Sequence, residues 1–259
     1  MLMLMVMLIK RSAALALVLA ATLISATANA SLKLYVFDCG VIGADDVSPF
    51  NVSNEETPVR ELFVPCYLVE HPKGRMLWDG GLPLAMAGQG RIVDEAEPGI
   101  YHQYEVSLID QLAAMELTPA DIDLIAFSHM HYDHVGAANA FTASKFLIQN
   151  AEFQSAFISG NNPFFQADLY MGIAENEREV LNGDHDVFGD GSVILVSAPG
   201  HTPGHQVLFL RLENLGNLVL SGDLYHFRKS RELRRAPTFN YNAEQTFAAM
   251  DKVEALIEA

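Results

Sequence analysis

The chain has 259 residues, half of them apolar, and a formal net charge of −16. That apolar content supports a sizeable core and argues against disorder, and the length allows one large domain or two small ones. The excess of acids excludes a nucleic-acid partner, whose phosphates it would repel.

Residues 1–30 read as a secretory signal peptide. Met1–Ile9 is apolar, Lys10-Arg11 is basic, Ser12–Ile24 is apolar again, and Ala28-Asn29-Ala30 is a small-x-small cleavage site. The Met-rich lead before Lys10 is unusual, and a start at Met5 or Met7 would restore a short basic n-region. The apolar run after Arg11 is too short for a comfortable span, so no stable membrane anchor is expected after cleavage. The mature protein is expected to begin near Ser31, to be secreted or periplasmic, and to form one domain over 31–259.

Leu32, Leu34, Val36 and Phe37 predict a strand ending at Asp38-Cys39-Gly40. Residues 41–61, polar and interrupted by Pro49 and Pro58, predict a long loop of the kind that forms functional lids. Leu62–Val69 reads as a strand, His71-Pro72-Lys73-Gly74 as a tight turn, and Arg75–Asp79 as the hairpin partner. Cys39 and Cys66 are the two cysteines of the chain; an oxidising compartment allows a disulfide, and two buried thiols are equally compatible with the sequence. Residues 82–104 predict a second long loop. Leu108, Leu112 and Met115 mark one face of a helix, and Thr118-Pro119 starts a new turn with Thr as N-cap and Pro at N1.

An apolar run, Leu124–Phe127, then predicts a buried strand. It delivers the chain into Ser128-His129-Met130-His131-Tyr132-Asp133-His134, with three histidines and a carboxylate inside six residues. Ligand sites in open α/β sheets gather at such strand ends, and imidazole with carboxylate is a donor set that suits zinc-like ions. The competing reading, a solvated polar loop, does not explain the clustering.

Gly136–Ala140 is expected to open a helix, Lys145–Gln149 to form a strand, Glu152–Ile158 a helix, and residues 160–191 to be irregular, with His185 in a solvated turn. Ser192–Val196 reads as a strand running into Pro199-Gly200-His201-Thr202-Pro203-Gly204-His205, where two Pro-Gly pairs hold His201 in a rigid turn. His205 reads as a core or supporting histidine at the head of strand Gln206–Leu210. Asn217–Leu220 is a further strand, ending at Ser221-Gly222-Asp223. The last helix starts at Asn242 with Gln245 completing a capping box, and carries the stripe Phe247, Met250, Val253, Ile257. It stops at Ala259 without a C-cap, with Glu254 and Glu258 at the unfavourable end of its dipole. Interleaved strands and helices make the chain an α/β protein.

His129-x-His131-x-Asp133-His134, Pro199-Gly200-His201-Thr202-Pro203-Gly204-His205 and Ser221-Gly222-Asp223, in this order, resemble the metallo-β-lactamase superfamily across the mature chain, and Asp79-Gly80-Gly81 resembles its early strand-end aspartate. The resemblance implies an αββα sandwich with two zinc ions at one edge. It implies His129, His131 and His201 as ligands of the first zinc, Asp133 and His134 of the second, and Asp223 as the bridge. It further implies hydrolysis of a small-molecule ester by a hydroxide shared between the metals, with Asp133 and Asp223 in catalysis. Tyr225 or His226 could donate to the oxyanion; a structural role below the site is the alternative. An aspartate at the bridging position is similar to lactonases and glyoxalase II-like thioesterases and unlike the β-lactamases themselves. The stretches Phe37–Gly40, Pro65–Leu68, His71–Gly74 and Gly222–Phe227 are most similar to the quorum-quenching N-acyl homoserine lactonase branch.

One departure stands out. The family completes its second zinc with a late-strand histidine, and no histidine follows His226 here. With the uncapped helix, this reads as a chain lacking its last strand and helix unit and with an incomplete second zinc site. A thioesterase, a β-lactamase or a non-catalytic metal-binding remnant are the alternatives to a lactonase.

Overall fold

The computed structural model of the chain describes residues 31–160 and 162–258. The expected signal peptide lies outside them. The larger sheet has eight strands: β1 Lys33–Ala44, β2 Glu61–His71, β3 Gly74–Trp78, β4 Arg91–Val93, β5 Ile100–Gln103, β6 Leu124–Ala126, β7 Lys145–Gln149 and β8 Arg178–Leu181, in the spatial order β4-β5-β1-β2-β3-β6-β7-β8. The smaller has four: β9 His185–Asp186, β10 Val193–Ser197, β11 Gln206–Leu212 and β12 Gly216–Leu220, in the order β12-β11-β10-β9. The helices are α1 Leu108–Ala114, α2 Asn150–Phe153 continued by a π-helical Gln154–Ser159, α3 Arg228–Leu233 and α4 Ala243–Glu258. Among the described residues no helix is long and apolar enough to cross a membrane.

Period-2 alternation sorts the side chains into layers. In β10, Val193 and Leu195 point between the sheets, while Ile194 and Val196 point outward. In β11, Leu208 and Leu210 go inward and Val207 and Phe209 outward. The inner residues meet Val69, Met76, Trp78, Ala126 and Leu147 of the larger sheet. The outer face of the smaller sheet is covered by Ala249, Met250 and Val253 of α4, and that of the larger sheet packs against Leu108 and Leu112 of α1. The result is the expected αββα sandwich. Of the stripe on α4, Met250 and Val253 are buried, and Ile257 remains exposed.

Several local expectations change. β1 runs past Gly40 to Ala44 through a register shift between Asp38 and Val41. The loop 82–104 contains β4 and β5, where β5 pairs with the far end of β1. Three- and four-residue strands are too short to leave a readable alternation. β8 and β9 lie inside 160–191, and His185 sits in β9 with Nδ1 3.7 Å from Glu179 instead of in a turn. The helix expected from Gly136 is one 3-10 turn, Ala138–Ala140. Asn242 caps α4 as expected, accepting from Gln245 N at 3.0 Å. Cys39 and Cys66 are joined by a disulfide that crosslinks β1 and β2.

Candidate metal centre

The site forms where strands of both sheets end at one edge. The parallel pair β3 and β6 is the first anchor. Asp79, directly after β3, takes a left-handed backbone (φ 60°). Its N–H donates to Ala126 O, its Oδ1 accepts from Ser128 N at 2.6 Å, and its Oδ2 lies 3.0 Å from His134 Nδ1. Gly80 N donates to His134 O at 2.6 Å. The strand-end aspartate thus ties down both ends of the histidine loop and orients one of its rings.

Glu152 is the second anchor, and sequence reading placed it only at a helix start. It is buried, Oε1 accepts from Met130 N at 2.9 Å, and Oε2 accepts from Thr202 Oγ1 at 2.7 Å and Gly204 N at 2.8 Å. One carboxylate therefore joins the histidine loop to the His201 turn. Burial pushes its carboxyl up, against the pull of those three hydrogen bonds. Glycine is needed at 204 because a Cβ there would stand 2.3 Å from Glu152 N; at Gly200 (φ 139°) it would stand 2.3 Å from Thr246 N at the start of α4. The one sequence signal was an acid three residues past a buried strand, on the edge that carries the histidines.

These anchors bring together the residues singled out by sequence. Ligand atoms of His129, His131, His201 and Asp223 lie within 4.8 Å of one another, as do those of Asp133, His134 and Asp223. His201 Nε2 is 3.1 Å from His131 Nδ1 and 3.3 Å from Asp223 Oδ2. His134 Nε2 is 3.2 Å from Asp223 Oδ1 and 3.6 Å from Asp133 Oδ2. Burial holds His129 and His201 well below the usual histidine range and takes His131 down to about 3. These are neutral imidazoles, the form that binds metals. Asp223 responds the other way: burial would raise it, but His226 and His134 hold it well below the usual carboxylate range.

This donor set fits a divalent ion. His129 Nε2 is buried without a hydrogen-bond partner among the described residues, a cost that native structures rarely leave uncompensated. Two further neutral rings and the Asp223 carboxylate gather around that atom, a donor set whose negative charge a cation would balance. His129, His131, His201 and Asp223 could hold one ion, and Asp133, His134 and Asp223 have the donor types of a second, three-ligand group.

The remaining candidates separate. His205 is the expected supporting residue, with Nδ1 3.1 Å from Ala198 O and Nε2 accepting from Asp223 N at 3.1 Å. His226 belongs to neither ligand group, and its Nε2 lies 3.1 Å from Asp223 Oδ2. Tyr225, open in the sequence to an oxyanion-donating or a structural role, borders the cleft and donates its hydroxyl to Glu254 Oε1 of α4 at 3.0 Å. The position after Asp223 and Leu224 brings Tyr225 over α4, where the carboxylate claims its proton.

Above the cluster opens a cleft of about 1110 Å³. Phe50, Phe63, Met86, Phe164 and Phe239 give it apolar walls, and Asp133, His134 and Asp223 lie at its floor. Tyr132 adds a hydroxyl, 2.9 Å from His102 Nε2.

An αββα sandwich with a His/Asp cluster at its strand ends defines a metal-centre protein of a known class, and the chain belongs to the metallo-beta-lactamase superfamily, whose family model matches residues 59–257. Within it, the chain is similar to the N-acyl homoserine lactonase AttM of Rhizobium radiobacter, 28% identical over 240 residues that cover 88% of this chain and 89% of that protein. It is 26% identical to the N-acyl homoserine lactonase of Bacillus thuringiensis over 241 residues, 87% of this chain and 88% of that one. In structure it resembles an N-acyl homoserine lactone hydrolase with N-hexanoyl-L-homoserine bound at its catalytic metal centre (TM-score 0.74, 25% identity, 88% and 89% of the two chains).

Proposed function

We propose that this superfamily member is a zinc-dependent hydrolase that opens lactones of the N-acyl homoserine type. The observation that carries the reading is the placement of Asp223 between two His/Asp ligand groups on the floor of an apolar-walled cleft. The similarity to curated N-acyl homoserine lactonases over most of both chains supports it. His129, His131 and His201 would hold one zinc, Asp133 and His134 the other, and Asp223 would serve both. When bound, such ions supply Lewis-acid polarisation of the carbonyl and water acidified towards neutrality.

The chain's own residues do the rest. Glu152 and Asp79 hold the ligand loops, so little reorganisation is left for the reaction. The apolar walls accept an acyl chain and exclude competing water. Water oxygen bonds to the lactone carbonyl carbon, the ring C–O bond breaks, and the leaving ring oxygen gains the proton that the attacking water gives up. Asp133 stands at the cleft floor beside His134, placed to assist that departure. The product is an open hydroxy acid. A secretory role for residues 1–30 belongs to the same reading, and the Cys39–Cys66 bond supports it, because such bonds persist in oxidising compartments.

A panel of acyl homoserine lactones, simple lactones, thioesters and a chromogenic cephalosporin, assayed on the zinc-loaded protein, tests the activity. Acyl homoserine lactones are expected to give the highest kcat/KM. Faster cephalosporin or thioester turnover would overturn the substrate assignment, and no turnover of any member would overturn the enzyme. Sequencing the first residues of the exported protein, expected to read from near Ser31, tests the secretory segment.

A further inference from the structure

Asp223 serves both ligand groups, so the direction of its two oxygens matters to each. Oδ1 faces His134 Nε2 at 3.2 Å, and Oδ2 faces His201 Nε2 at 3.3 Å and His129 Nε2 at 3.7 Å. An aspartate side chain with two torsions would not hold this division by itself. Its backbone is fixed from one side, where Asp223 N donates to His205 Nε2. From the other side comes His226, whose Nε2 is 3.1 Å from Oδ2, nearer to that oxygen than the ring nitrogens of His201 and His129. A carboxylate can only accept, so the His226 nitrogen must carry the hydrogen.

We propose that His226 is a positioning residue: it donates to Asp223 Oδ2 and so sets how the carboxylate is divided between the two ligand groups. The inference rests on the metal-centre reading and not on the identity of the substrate. Three further observations favour it. First, the His226 nitrogen lies outside both sets of mutually close ligand atoms, so it acts on a ligand and is not one itself. Second, its side chain is only 7% exposed, although it borders the cleft. Third, its ring has a built seat. Phe50 lies 4.9 Å away, His201 5.3 Å and Phe239 5.8 Å, centroid to centroid.

That seat is itself tied down. Asn51 Nδ2 donates to Ala236 O at 2.6 Å, Thr238 N donates to Pro49 O at 2.8 Å, and Arg235 Nη1 reaches Glu56 Oε2 at 2.6 Å. The segment carrying Phe50 and the segment carrying Phe239 are thereby joined across the ring. For His226 to swing away from Asp223, that junction would have to open. The cleft wall and the metal centre are coupled through this one side chain.

The test uses the full chain and reads metal binding, independently of any substrate. His226→Phe keeps a ring against Phe50 and Phe239 and removes the donor; His226→Gln restores an N–H donor of similar reach. Zinc affinity is measured by chelator competition, and the cobalt-substituted protein supplies a d–d absorption spectrum. H226F is expected to lose about 10- to 100-fold in metal affinity, as partners that orient ligands commonly contribute, and to shift the cobalt bands. H226Q is expected to recover affinity to within about threefold of the parent, with the parent spectrum. On a turned-over lactone, kcat should fall in H226F more than KM rises. Unchanged affinity and spectrum in H226F would overturn the proposal, as would an H226Q protein as impaired as H226F. If H226F fails to fold by thermal unfolding, His226→Leu is read against H226Q by the same two outcomes. Loss of lactone turnover with intact zinc binding in the parent protein would instead count against the substrate reading alone.

Discussion

The two ligand groups that share Asp223 are built on different principles. His129, His131 and His201 are buried, uncharged, and stitched to one another through Glu152 beneath them. Asp133 and His134 face the cleft, with 16% and 11% of their side chains exposed, and are held from behind by Asp79. The first group is shaped by packing and by a buried carboxylate whose hydrogen bonds have no competitor from solvent. The second is shaped by charge, with His134 flanked by Asp79, Asp133 and Asp223. The buried half is the one built to anchor an ion, and the other half is the one open to the cleft. The dry half has the fixed geometry a tightly held ion needs, and the wet half has access to the cleft.

The largest effect is expected at the dry half. His129→Ala with His131→Ala removes two of its four donors and should empty it. Elemental analysis after dialysis should find that site without zinc, and kcat/KM should fall on the order of 10³-fold or more, since losing one oxyanion-stabilising group alone costs about 10² to 10³. Unchanged metal content in the double variant would mean that the ion sits elsewhere.

A smaller effect is expected at Glu152, which braces both loops. Glu152→Ala leaves Met130 N, Thr202 Oγ1 and Gly204 N without their acceptor. At roughly 1–3 kcal/mol for each stranded buried group, a loss of about 3 kcal/mol in unfolding free energy is expected, even after the relief of a buried carboxylate. Denaturant unfolding of the metal-free protein measures it. A change below about 1 kcal/mol would show that the two loops hold their positions without this side chain.

The smallest effect is expected at Tyr225, which stands next to His226 but looks the other way. Tyr225→Phe removes a hydroxyl that bonds Glu254. It should lower stability by about 1 kcal/mol or less and leave kcat/KM within about threefold of the parent. A drop beyond about tenfold would return this hydroxyl to the reaction.

Much of this architecture could be read from the chain before folding. The strands β10 and β11 and the hairpin of β2 and β3 are local patterns, apolar runs bounded by turn residues within a few positions. His129, His131, Asp133 and His134 fall on one loop, so their spacing carries their chemistry without reference to anything distant. His201 was legible for a related reason, since its Pro-Gly flanks restrict the backbone. The edge strands β4 and β5 were not, because three or four residues carry too little pattern and their order comes from pairing with β1.

The contacts that make a centre of these pieces join residues far apart in sequence. Asp79 meets His134 across 55 positions, Glu152 meets Thr202 across 50, and His131 meets His201 across 70. Cys39 and Cys66 could be read as compatible with a bond, but only the register of β1 against β2 brought them together. Tyr225 and His226 are neighbours with equal claims in sequence, and the turn after β12 sends one to Glu254 and the other to Asp223. By itself the sequence determined the ligand types and the strand ends where the chemistry collects, because these follow from local spacing and from the burial of apolar side chains. Only the tertiary structure decided which carboxylate braces, which orients and which is shared, because a buried polar group takes its role from the partners that replace water around it.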